Sequence, residues 1–301
     1  MMPSAPFPIA RAIDGQTRLL GVIGDPVAHS LSPAMHNLAL ELLQINARYL
    51  AFHVKPSQLA VAVRGFAAQG VLGFNATLPH KEALLKLMDW VDDEAMLMGA
   101  VNTVRIESDG RLLGYNTDAY GFHQAVESRF PGHLRDARVV VLGAGGAARG
   151  VVAGLALAGV GRITVANRTL TRAEHLIDSL TGPALARVER RAIPLEAAKL
   201  PLEGCTLLVN TTSAGMHGES LAAVAWHRLP AEAVVVDIIY APSCTPFLQA
   251  AQKRGLRVQN GLEMLIRQGA RSLQLWTGAE MPLAPVREHL ERLLGARAGE
   301  S

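Results

Sequence analysis

The sequence predicts an α/β protein with two domains. Two series of short apolar runs alternate with helical patterns, one before and one after a loop near residues 116–121. Strands that alternate with helices in this way favour mostly parallel sheets. The chain has 301 residues, of which 50% are hydrophobic, so each domain can bury a core of its own. We expect an N-terminal extension at residues 1–16, a first domain over residues 17–120 and a second domain from residue 121.

Composition and charge exclude several classes of protein. The chain carries 29 Lys and Arg against 26 Asp and Glu, a net charge of +3, which suits small anionic ligands better than nucleic acid. Neither the two cysteines, Cys205 and Cys244, nor the ten histidines show metal-ligand spacing, so we expect reduced thiols, no metal and a cytoplasmic location. Residues 1–15 lack the features of a secretory signal, and glycines interrupt the most apolar stretch, residues 139–160. We therefore expect no membrane segment.

Three strand–helix pairs make up the first domain. The strand Leu19–Gly24 precedes a helix for which Ser32 is the expected N-cap, with Pro33 in its first turn. A second strand, Y-L-A-F-H-V, leads into a helix near Pro56–Gln69. A third strand, G-V-L-G-F-N-A-T-L, is followed by Pro79 and the helical pattern H-K-E-A-L-L-K-L-M.

The second domain begins with a strand, a glycine-rich turn and a helix. Gly143, Gly145 and Ala148 fit the pattern G-x-G-x-x-A between the strand R-V-V-V-L and that helix. The first glycine permits a tight turn, the second lets the backbone approach a pyrophosphate at the helix N-terminus, and the small sixth residue allows close packing. Further strands, R-I-T-V-A, T-L-L-V-N and V-V-V-D-I-I, complete a Rossmann-type dinucleotide-binding domain. The alternative is a glycine turn that only packs the helix tightly.

The end of the next strand selects the dinucleotide. A ribose 2′-hydroxyl is usually held by a carboxylate at this point, whereas a 2′-phosphate requires cations. The strand R-I-T-V-A ends in Asn167, Arg168 and Thr169, with Arg172 just beyond and no carboxylate. Guanidinium groups match phosphate geometry, so the sequence predicts NADP. Two solvated arginines at a helix start are the alternative.

Several polar residues follow the apolar strands of the first domain. In an extended segment, side chains two residues apart point to the same side. The hydroxyls of Ser30 and Ser32 would then lie together, and so would the side chains of Asn75 and Thr77. Asn102 lies within the otherwise apolar segment G-A-V-N-T-V, and Asp118 ends the segment G-Y-N-T-D. Each residue alone could be a cap or a turn residue, but together they indicate a binding set for a polyhydroxylated substrate.

Lys81 is the most informative of these residues. It lies in the first turn of the helix after Pro79, where the helix dipole opposes a positive charge. A lysine in such a place could exchange a proton with an alcohol oxygen near neutral pH, and Asp118 could orient it. The alternative is an exposed lysine on an amphipathic helix, a description that fits Lys86 better. We assign His80 and the acidic run at 92–94 to the solvated surface.

Seven ordered motifs together resemble the shikimate dehydrogenase family through nearly the whole chain. They are G-D-P-V-A-H-S-L-S-P-A-M-H-N, G-F-N-A-T-L-P-H-K, G-A-V-N-T-V, G-Y-N-T-D, G-A-G-G-A, N-R-T-L-T-R and G-L-E-M-L-I-R-Q. The resemblance implies a substrate-binding first domain that the C-terminal helices, residues 260–301, return to complete. It implies an NADP-binding domain at residues 121–259.

The resemblance also implies roles for particular residues. Lys81, as the proton-transfer group, and Asp118 correspond to the family's catalytic pair. Both also belong to the implied substrate-binding set, whose other members are Ser30, Ser32, Asn75, Thr77, Asn102, Tyr240 and Gln268. The implied NADP-binding residues are Gly143, Ala144, Gly145, Gly146, Ala147, Asn167, Arg168, Thr169, Arg172, Ile238, Gly261 and Asp93.

Few residues depart from the family pattern. Ala76 and Leu78 replace common valines and should affect packing more than chemistry. Ala119 replaces the usual glycine after N-T-D and would be strained if that position needs a positive φ. Thr211 stands where alanine is common, and we expect little consequence.

The expected activity is reversible reduction of 3-dehydroshikimate to shikimate by NADPH, in aromatic amino-acid biosynthesis. The alternatives are a paralogue that acts on quinate or an aminated relative, a folate-type methylene dehydrogenase, and a non-catalytic NADP-binding sensor on the same scaffold. The expected partner is a small molecule rather than nucleic acid or a membrane, and a homodimer is left open.

Overall fold

The computed structural model describes residues 12–216, 218–219, 221 and 224–299. Residues 1–11, most of the expected N-terminal extension, lie outside this range. The chain forms two compact units. The first unit contains the described residues up to Asp92, then Ala100–Asn116 and Gly269–Arg292. The second unit contains Asp93–Gly99, Thr117–Gln268 and the residues from Leu293 onward.

The strands and helices alternate along most of the chain. The strands are β1 (Arg18–Gly24), β2 (Ala47–His53), β3 (Gly73–Ala76), β4 (Trp90–Val91), β5 (Thr103–Ile106), β6 (Leu112–Tyr115), β7 (Arg138–Leu142), β8 (Arg162–Asn167), β9 (Glu189–Pro194), β10 (Leu207–Asn210), β11 (Val234–Asp237) and β12 (Arg257–Gln259). The α-helices are α1 (Ser32–Leu42), α2 (Leu59–Ala68), α3 (Lys81–Leu84), α4 (Asp93–Met98), α5 (Asp118–Arg129), α6 (Gly146–Leu157), α7 (Leu170–Ser179), α8 (Pro183–Ala186), α9 (Pro246–Gln252), α10 (Leu262–Thr277) and α11 (Leu283–Gly299). Short 3-10 helices span Pro56–Gln58, Leu85–Leu87 and Trp226–Arg228.

The first unit contains a six-stranded sheet in the order β2-β1-β3-β5-β6-β4. Strand β1 runs parallel to β2 and β3, and β4 runs parallel to β6. Strand β5 is antiparallel to both of its neighbours, β3 and β6. The predicted mostly parallel sheet is confirmed, but the β5–β6 hairpin was not predicted. Its signal was present, because an S-D-G turn separates two apolar runs there.

The second unit contains a six-stranded parallel sheet in the order β12-β11-β10-β7-β8-β9. The strand order reverses between β7 and β10, which is the doubly wound arrangement of a Rossmann-type domain. Buried aliphatic residues cover both faces of this sheet, with Val141 in the cluster on one face and Leu142 in the cluster on the other. The predicted fold class is therefore confirmed. Strands β9 and β12 were missed because β9 begins with charged residues and β12 is only three residues long.

The C-terminal helices return to the first unit over Gly269–Arg292, whereas the expected bounds 260–301 are wider, since the residues up to Gln268 and those from Leu293 belong to the second unit. The indole Nε1 of Trp276, near the end of α10, donates a hydrogen bond to the carbonyl of Val104 on β5 at 2.9 Å. A Cβ on Gly73 of β3 would lie 2.3 Å from that Nε1 atom, so only glycine allows the indole to approach the sheet so closely. This hydrogen bond and the gap at Gly73 bring the end of α10 close to the sheet.

Helices α5 and α6 of the second unit approach each other through two glycines. A Cβ on Gly150 would lie 2.7 Å from the Cβ of Asp118, and one on Gly154 would lie 2.6 Å from the carbonyl oxygen of Ala119. Ala119 itself is buried inside α5, in helical backbone, so the strain considered for this alanine does not arise. These contacts fix the first turn of α5 against α6.

We predict that Gly154→Ala lowers the free energy of unfolding by about 1–2 kcal/mol. The added methyl group must push backbone atoms apart, and this overpacking exceeds the gain in helix propensity of about 1 kcal/mol. Urea titration measures the change. Gly295→Ala is the matched control, since a Cβ there meets nothing within 4 Å and the site is an exposed part of α11. An equal effect of the two substitutions would contradict the packing argument.

Candidate active site

Asn75 is the centre of a buried hydrogen-bond network in the first unit. Its amide Nδ2 donates to the hydroxyls of Thr103 at 2.9 Å and Ser272 at 3.0 Å, and to the carbonyl of Asn102 at 3.2 Å. Its Oδ1 accepts from the hydroxyl of Tyr49 at 2.7 Å. The contacts of Asn75 therefore join β3 to β2, β5 and α10. These contacts use both hydrogens of Nδ2 and one lone pair of Oδ1, so Asn75 orders the segments around it.

Asn102 is held by the same network. The hydroxyl of Thr103 donates to Oδ1 of Asn102 at 2.8 Å. The backbone N–H of Asn102 donates to the carbonyl of Tyr115 at 3.0 Å. Its carbonyl accepts from the amide of Ala76 at 2.8 Å. The two backbone bonds fix the position of Asn102, and the bond from Thr103 orients its buried side chain.

Ser30 and Ser32 lie together, but in a different way from the one expected. Helix α1 begins at Ser32 with Leu31 as N-cap, so the segment is not extended and Ser32 does not cap the helix. Instead the hydroxyl of Ser30 accepts the backbone N–H of Ser32 at 3.2 Å. The Ser32 side chain forms a hydrogen bond with Tyr49. Burial raises the pKa of Tyr49 well above its ordinary value, and the bond with Ser32 opposes that shift.

Lys81 follows the loop that contains Thr77. The carbonyl of Lys81 accepts the amide of Val101 at 2.8 Å, which ties this residue to the segment of Asn102. Helix α3 is only one turn long and continues as a 3-10 helix, so it is shorter than the pattern predicted and its dipole is correspondingly small. Lys81 is half-buried and Thr77 is similarly placed, while Lys86 is exposed.

His80, which we expected at the solvated surface, is buried. Its Nε2 lies 2.7 Å from the carbonyl of Val54, and its backbone N–H donates to Thr77 at 3.0 Å. The expectation was wrong because the chain after β3 turns back over the end of β2. The ring of His80 thus fixes the loop between Thr77 and Lys81.

The glycine-rich turn of the second unit has the geometry that a dinucleotide requires. Gly143 has φ +106°, and a Cβ there would lie 2.7 Å from the hydroxyl of Thr211. A Cβ on Gly145 or Gly146 would meet nothing within 4 Å, so the turn leaves open space at the N-terminus of α6. A phosphate group suits such a place, because the first-turn amides and the helix dipole both favour an anion. Thr211, which stands where the family commonly has alanine, adds a hydrogen bond here: its hydroxyl donates to the carbonyl of Leu142 at 2.7 Å.

The cations expected for a 2′-phosphate follow β8, the neighbour of β7. Arg168 and Arg172 are both exposed, one in the loop and one in the first turn of α7. The Asn167 Nδ2 atom donates to the carbonyl of Thr169 at 2.9 Å and so orders this loop. The open turn before α6 can accept an anion, and the loop after β8 offers two exposed guanidinium groups, so the chemistry of both segments suits NADP.

Asp118 and Gln268 lie close together within the second unit. Asp118 is buried in the first turn of α5, where the helix dipole favours a carboxylate. The Cβ of Gln268 would be 2.7 Å from a Cβ on Gly121, and its Oε1 lies 3.4 Å from the hydroxyl of Thr117. The start of α10 therefore packs on the helix that carries Asp118.

Ile238, Tyr240 and Gly261 belong to the loops after β11 and β12. A Cβ on Gly261 would lie 1.8 Å from the carbonyl oxygen of Ile238, so any other residue would displace that carbonyl. The neighbouring Asp237 is fully buried and was missed in the sequence, because an acidic residue at a strand end gives no local sign of its partners. Asp93 is exposed at the first turn of α4.

The predicted site residues divide between the two units. The first unit contains Ser30, Ser32, Asn75, Thr77, Lys81 and Asn102. The second unit contains Asp93, Asp118, Tyr240, Ile238, Gly261, Gln268 and all the residues of the glycine turn and the arginine loop. Within the described residues, no group of three or more His, Cys, Asp or Glu side chains could hold a metal ion, and no helix is long and apolar enough to cross a membrane.

Three family models match successive parts of the chain. One, described as the shikimate dehydrogenase substrate binding domain, matches residues 22–104. One described as shikimate / quinate 5-dehydrogenase matches residues 124–240, and one described as the shikimate 5'-dehydrogenase C-terminal domain matches residues 261–291.

A curated relative covers the chain almost completely. The shikimate dehydrogenase (NADP(+)) of Magnetococcus marinus is 49% identical over 280 residues, which is 93% of this chain and 97% of the relative. The chain belongs to the shikimate dehydrogenase family. The resemblance noted in the sequence motifs is thereby confirmed.

Solved structures of the shikimate dehydrogenase family have the same fold. The shikimate 5-dehydrogenase of Thermus thermophilus, in complex with NADP(H) and shikimate, has a TM-score of 0.80 and 39% identity, and the match covers 91% of this chain and 99% of that one. The quinate dehydrogenase of Corynebacterium glutamicum, in complex with NAD, has a TM-score of 0.85 and 30% identity, with 92% and 99% covered.

A buried histidine packs beside the polar network of the first unit. The ring of His36 stacks on Tyr49 with centroids 4.3 Å apart and contacts Trp276 at 5.4 Å. Neither ring nitrogen has a hydrogen-bond partner among the described residues, and burial lowers the pKa of His36 from 6.5 to about 3. The ring is therefore neutral in the folded protein at neutral pH.

We predict that His36→Phe and His36→Leu make the free energy of unfolding less dependent on pH between about 6.5 and 3. Below pH 6.5 the unfolded chain takes up a proton on His36 that the folded chain does not, so wild-type stability falls as the pH is lowered through this range. Urea titrations at several pH values measure the difference. His29→Phe, at an exposed position of the same unit, is the control. Parallel curves for wild type and both His36 variants would contradict the prediction.

Proposed function

We propose that this protein catalyses the reversible, NADP-dependent interconversion of shikimate and 3-dehydroshikimate, a step of aromatic amino-acid biosynthesis. The observation that carries the proposal is the Asn75 network, which fixes Asn102 and, through Tyr49, the serine segment of the first unit. Lys81 is tied to the same structure through Val101. Membership of the shikimate dehydrogenase family supports this assignment.

The proposal divides the work between two domains. Residues 17–120 with 260–301 bind the substrate, and residues 121–259 hold NADP. Hydroxyl and amide groups of Ser30, Ser32, Thr77 and Asn102 offer hydrogen bonds to a polyhydroxylated ring, with further contacts from Tyr240 and Gln268. Asn75 contributes by holding Asn102 in place.

Most of the residues that fit NADP lie in the second domain, and two further ones, Asp93 and Gly261, lie outside its proposed bounds. The pyrophosphate would lie at the open turn of Gly145 and Gly146, and the 2′-phosphate at Arg168 and Arg172. Ile238 and Gly261 would border the nicotinamide, and Asp93 remains a further candidate for a cofactor contact. When bound, the cofactor supplies the hydride for reduction of the ring carbonyl or accepts it in the reverse direction.

Lys81 moves the proton that balances the hydride. In the reduction its Nζ gives a proton to the carbonyl oxygen as that oxygen becomes a hydroxyl, and in the oxidation it takes the proton back. Asp118 is proposed as the second member of the catalytic pair. The backbone of Lys81 is held by the amide of Val101 and follows a loop fixed by His80, which sets the point from which its half-buried side chain extends.

Two free cysteines, Cys205 and Cys244, support a cytoplasmic location, because thiols stay reduced there. A homodimer stays a sequence-based hypothesis, and the mass of the protein in solution is its test.

We predict that Lys81→Ala lowers kcat for shikimate oxidation by about 100-fold or more, since a positioned general acid–base typically contributes 10²–10⁴-fold. The KM for shikimate should stay within about threefold, because binding rests on the other polar groups. The absorbance of NADPH measures turnover. Lys86→Ala, five residues further along the same segment and exposed, should retain wild-type turnover. Unchanged turnover in Lys81→Ala would refute the assignment.

We predict that Arg168→Ala and Arg172→Ala each lower kcat/KM for NADP+ by about 10- to 100-fold, because each removes a charge-assisted hydrogen bond to the 2′-phosphate worth about 1.5–3 kcal/mol. The value for NAD+, which lacks this phosphate, should change by less than about threefold. Steady-state kinetics with both cofactors test this. Equal losses of kcat/KM for NADP+ and NAD+ would show that the arginines do not bind the 2′-phosphate.

Quinate oxidation with NAD+ is the second candidate, favoured by the solved quinate dehydrogenase with the same fold. Shikimate and quinate, each assayed with NADP+ and NAD+, separate the two activities. The proposal requires the highest kcat/KM for shikimate with NADP+.

A further inference from the structure

Asp237 is a buried carboxylate at the C-terminal end of β11. It is fully buried and its Oδ2 accepts a hydrogen bond from the hydroxyl of Thr245 at 2.6 Å. Its Oδ1 accepts from the backbone N–H of Ile239 at 3.0 Å and from the Nδ2 of Asn210 at 3.1 Å. Burial raises the pKa of Asp237, and these three hydrogen bonds oppose that shift. The carboxylate therefore bridges groups from three places in the chain.

Asn210 extends the bridge to a second loop. It ends β10, directly opposite Asp237 in the parallel register. Its Oδ1 accepts from the N–H of Thr212 at 3.0 Å and from the hydroxyl of the same residue at 2.7 Å. Its Nδ2 also lies 3.3 Å from the carbonyl of Ala214. One amide thus fixes the start of the loop after β10.

Thr245 extends the bridge in the other direction. It is the N-cap of α9, and its hydroxyl accepts the N–H of Leu248 at 3.3 Å while donating to Asp237. The loop 238–245 is consequently fixed at both ends by one carboxylate. This loop carries Ile238, whose carbonyl lies against Gly261, and Tyr240.

The location of this bridge points to a ligand-related role. The carboxyl ends of parallel strands form the ligand edge of a doubly wound sheet, and β10 adjoins the reversal of strand order. Among the described residues Asp237 forms no ion pair, and a buried carboxylate without one is costly to desolvate, whereas an apolar residue could fill the same space. What an apolar residue could not do is orient the loops after β10 and β11 together.

We propose that Asp237 is a positioning residue for hydride transfer, acting with Asn210 and Thr245 to hold the 238–245 loop in the place that the nicotinamide and the substrate require. This inference rests on the proposed function. Asp237 is assigned no contact with either ligand and exchanges no proton in the reaction.

Thr245→Val is the principal test, because valine keeps the shape of the side chain and removes only the hydroxyl. Loss of a hydrogen bond to a charged group corresponds to about 10-fold or more. We expect kcat to fall about 10-fold, with the KM for NADP+ within about threefold. The deuterium isotope effect on kcat, with shikimate labelled at the carbinol carbon, should rise. In the cofactor-free protein, the amides of Ile239 and Leu248 should exchange with deuterium about 10-fold faster.

Three further variants give the test its controls. Thr245→Ser retains the hydroxyl and should restore kcat to within about threefold of wild type. Asp237→Asn keeps the shape of the side chain and can donate a hydrogen bond to Thr245, so a positioning role predicts substantial activity. Loss of nearly all turnover in this variant would mark Asp237 as a proton-transfer group and overturn the proposal. Thr164→Val removes the hydroxyl of another buried threonine, one that lies within β8 and bonds Arg191, and should leave the isotope effect unchanged.

The outcomes separate this proposal from the proposed function. Wild-type turnover of shikimate is measured first, and its absence would overturn both. If wild type is active and folded Thr245→Val has the same kcat, isotope effect and amide exchange, the positioning role alone is overturned. If Thr245→Val does not fold, Thr245→Ala, which also lacks the hydroxyl that bonds Asp237, replaces it in the same measurements and is judged by the same outcomes.

Discussion

The side-chain amide of Asn75 joins β3 to three other segments of the first unit, and the candidate substrate site depends on it. Tyr49 on β2, the Asn102–Thr103 segment at the start of β5 and Ser272 on α10 all bond this one group. Inside a protein such bonds are stronger than in water, and leaving any partner unpaired is costly, so the network has one stable arrangement. Ser32 and Lys81 are connected to it through Tyr49 and Val101. The network therefore holds the residues proposed to bind the substrate in fixed positions.

The second unit uses a buried polar group in a similar way. Asp237 connects the ends of β10 and β11 to the start of α9, just as Asn75 connects strands and a helix in the first unit. In both cases the buried side chain uses its hydrogen-bonding capacity within the protein, while neighbouring residues carry the proposed chemistry. Asn75, which has the strand-end position of a ligand-binding residue, therefore also orders its neighbours.

Close glycine contacts set the spacing around these groups. Because these glycines lack a Cβ, neighbouring groups can approach the backbone closely. The indole of Trp276 packs on Gly73, the first turn of α5 on Gly150 and Gly154, and the carbonyl of Ile238 on Gly261. The α5 contact also explains Ala119, since the glycines on α6 leave room for the backbone that carries this alanine. The proposed NADP turn differs in kind, because the space beside Gly145 and Gly146 is open to a ligand.

Local patterns in the sequence determined the alternation of strands and helices, the glycine turn after β7 and the polar residues at strand ends, because side-chain periodicity and turn chemistry are encoded by neighbouring residues. The motifs also determined the family. Tertiary structure alone decided that His80 is buried, that Ser32 bonds Tyr49 instead of capping α1, and that Asp237 bridges two loops. Each of these depends on partners between 8 and 27 residues away in sequence, as in the bonds of His80 to Val54 and of Asp237 to Asn210 and Thr245. Such pairings follow from how strands and helices pack, and no local pattern records them.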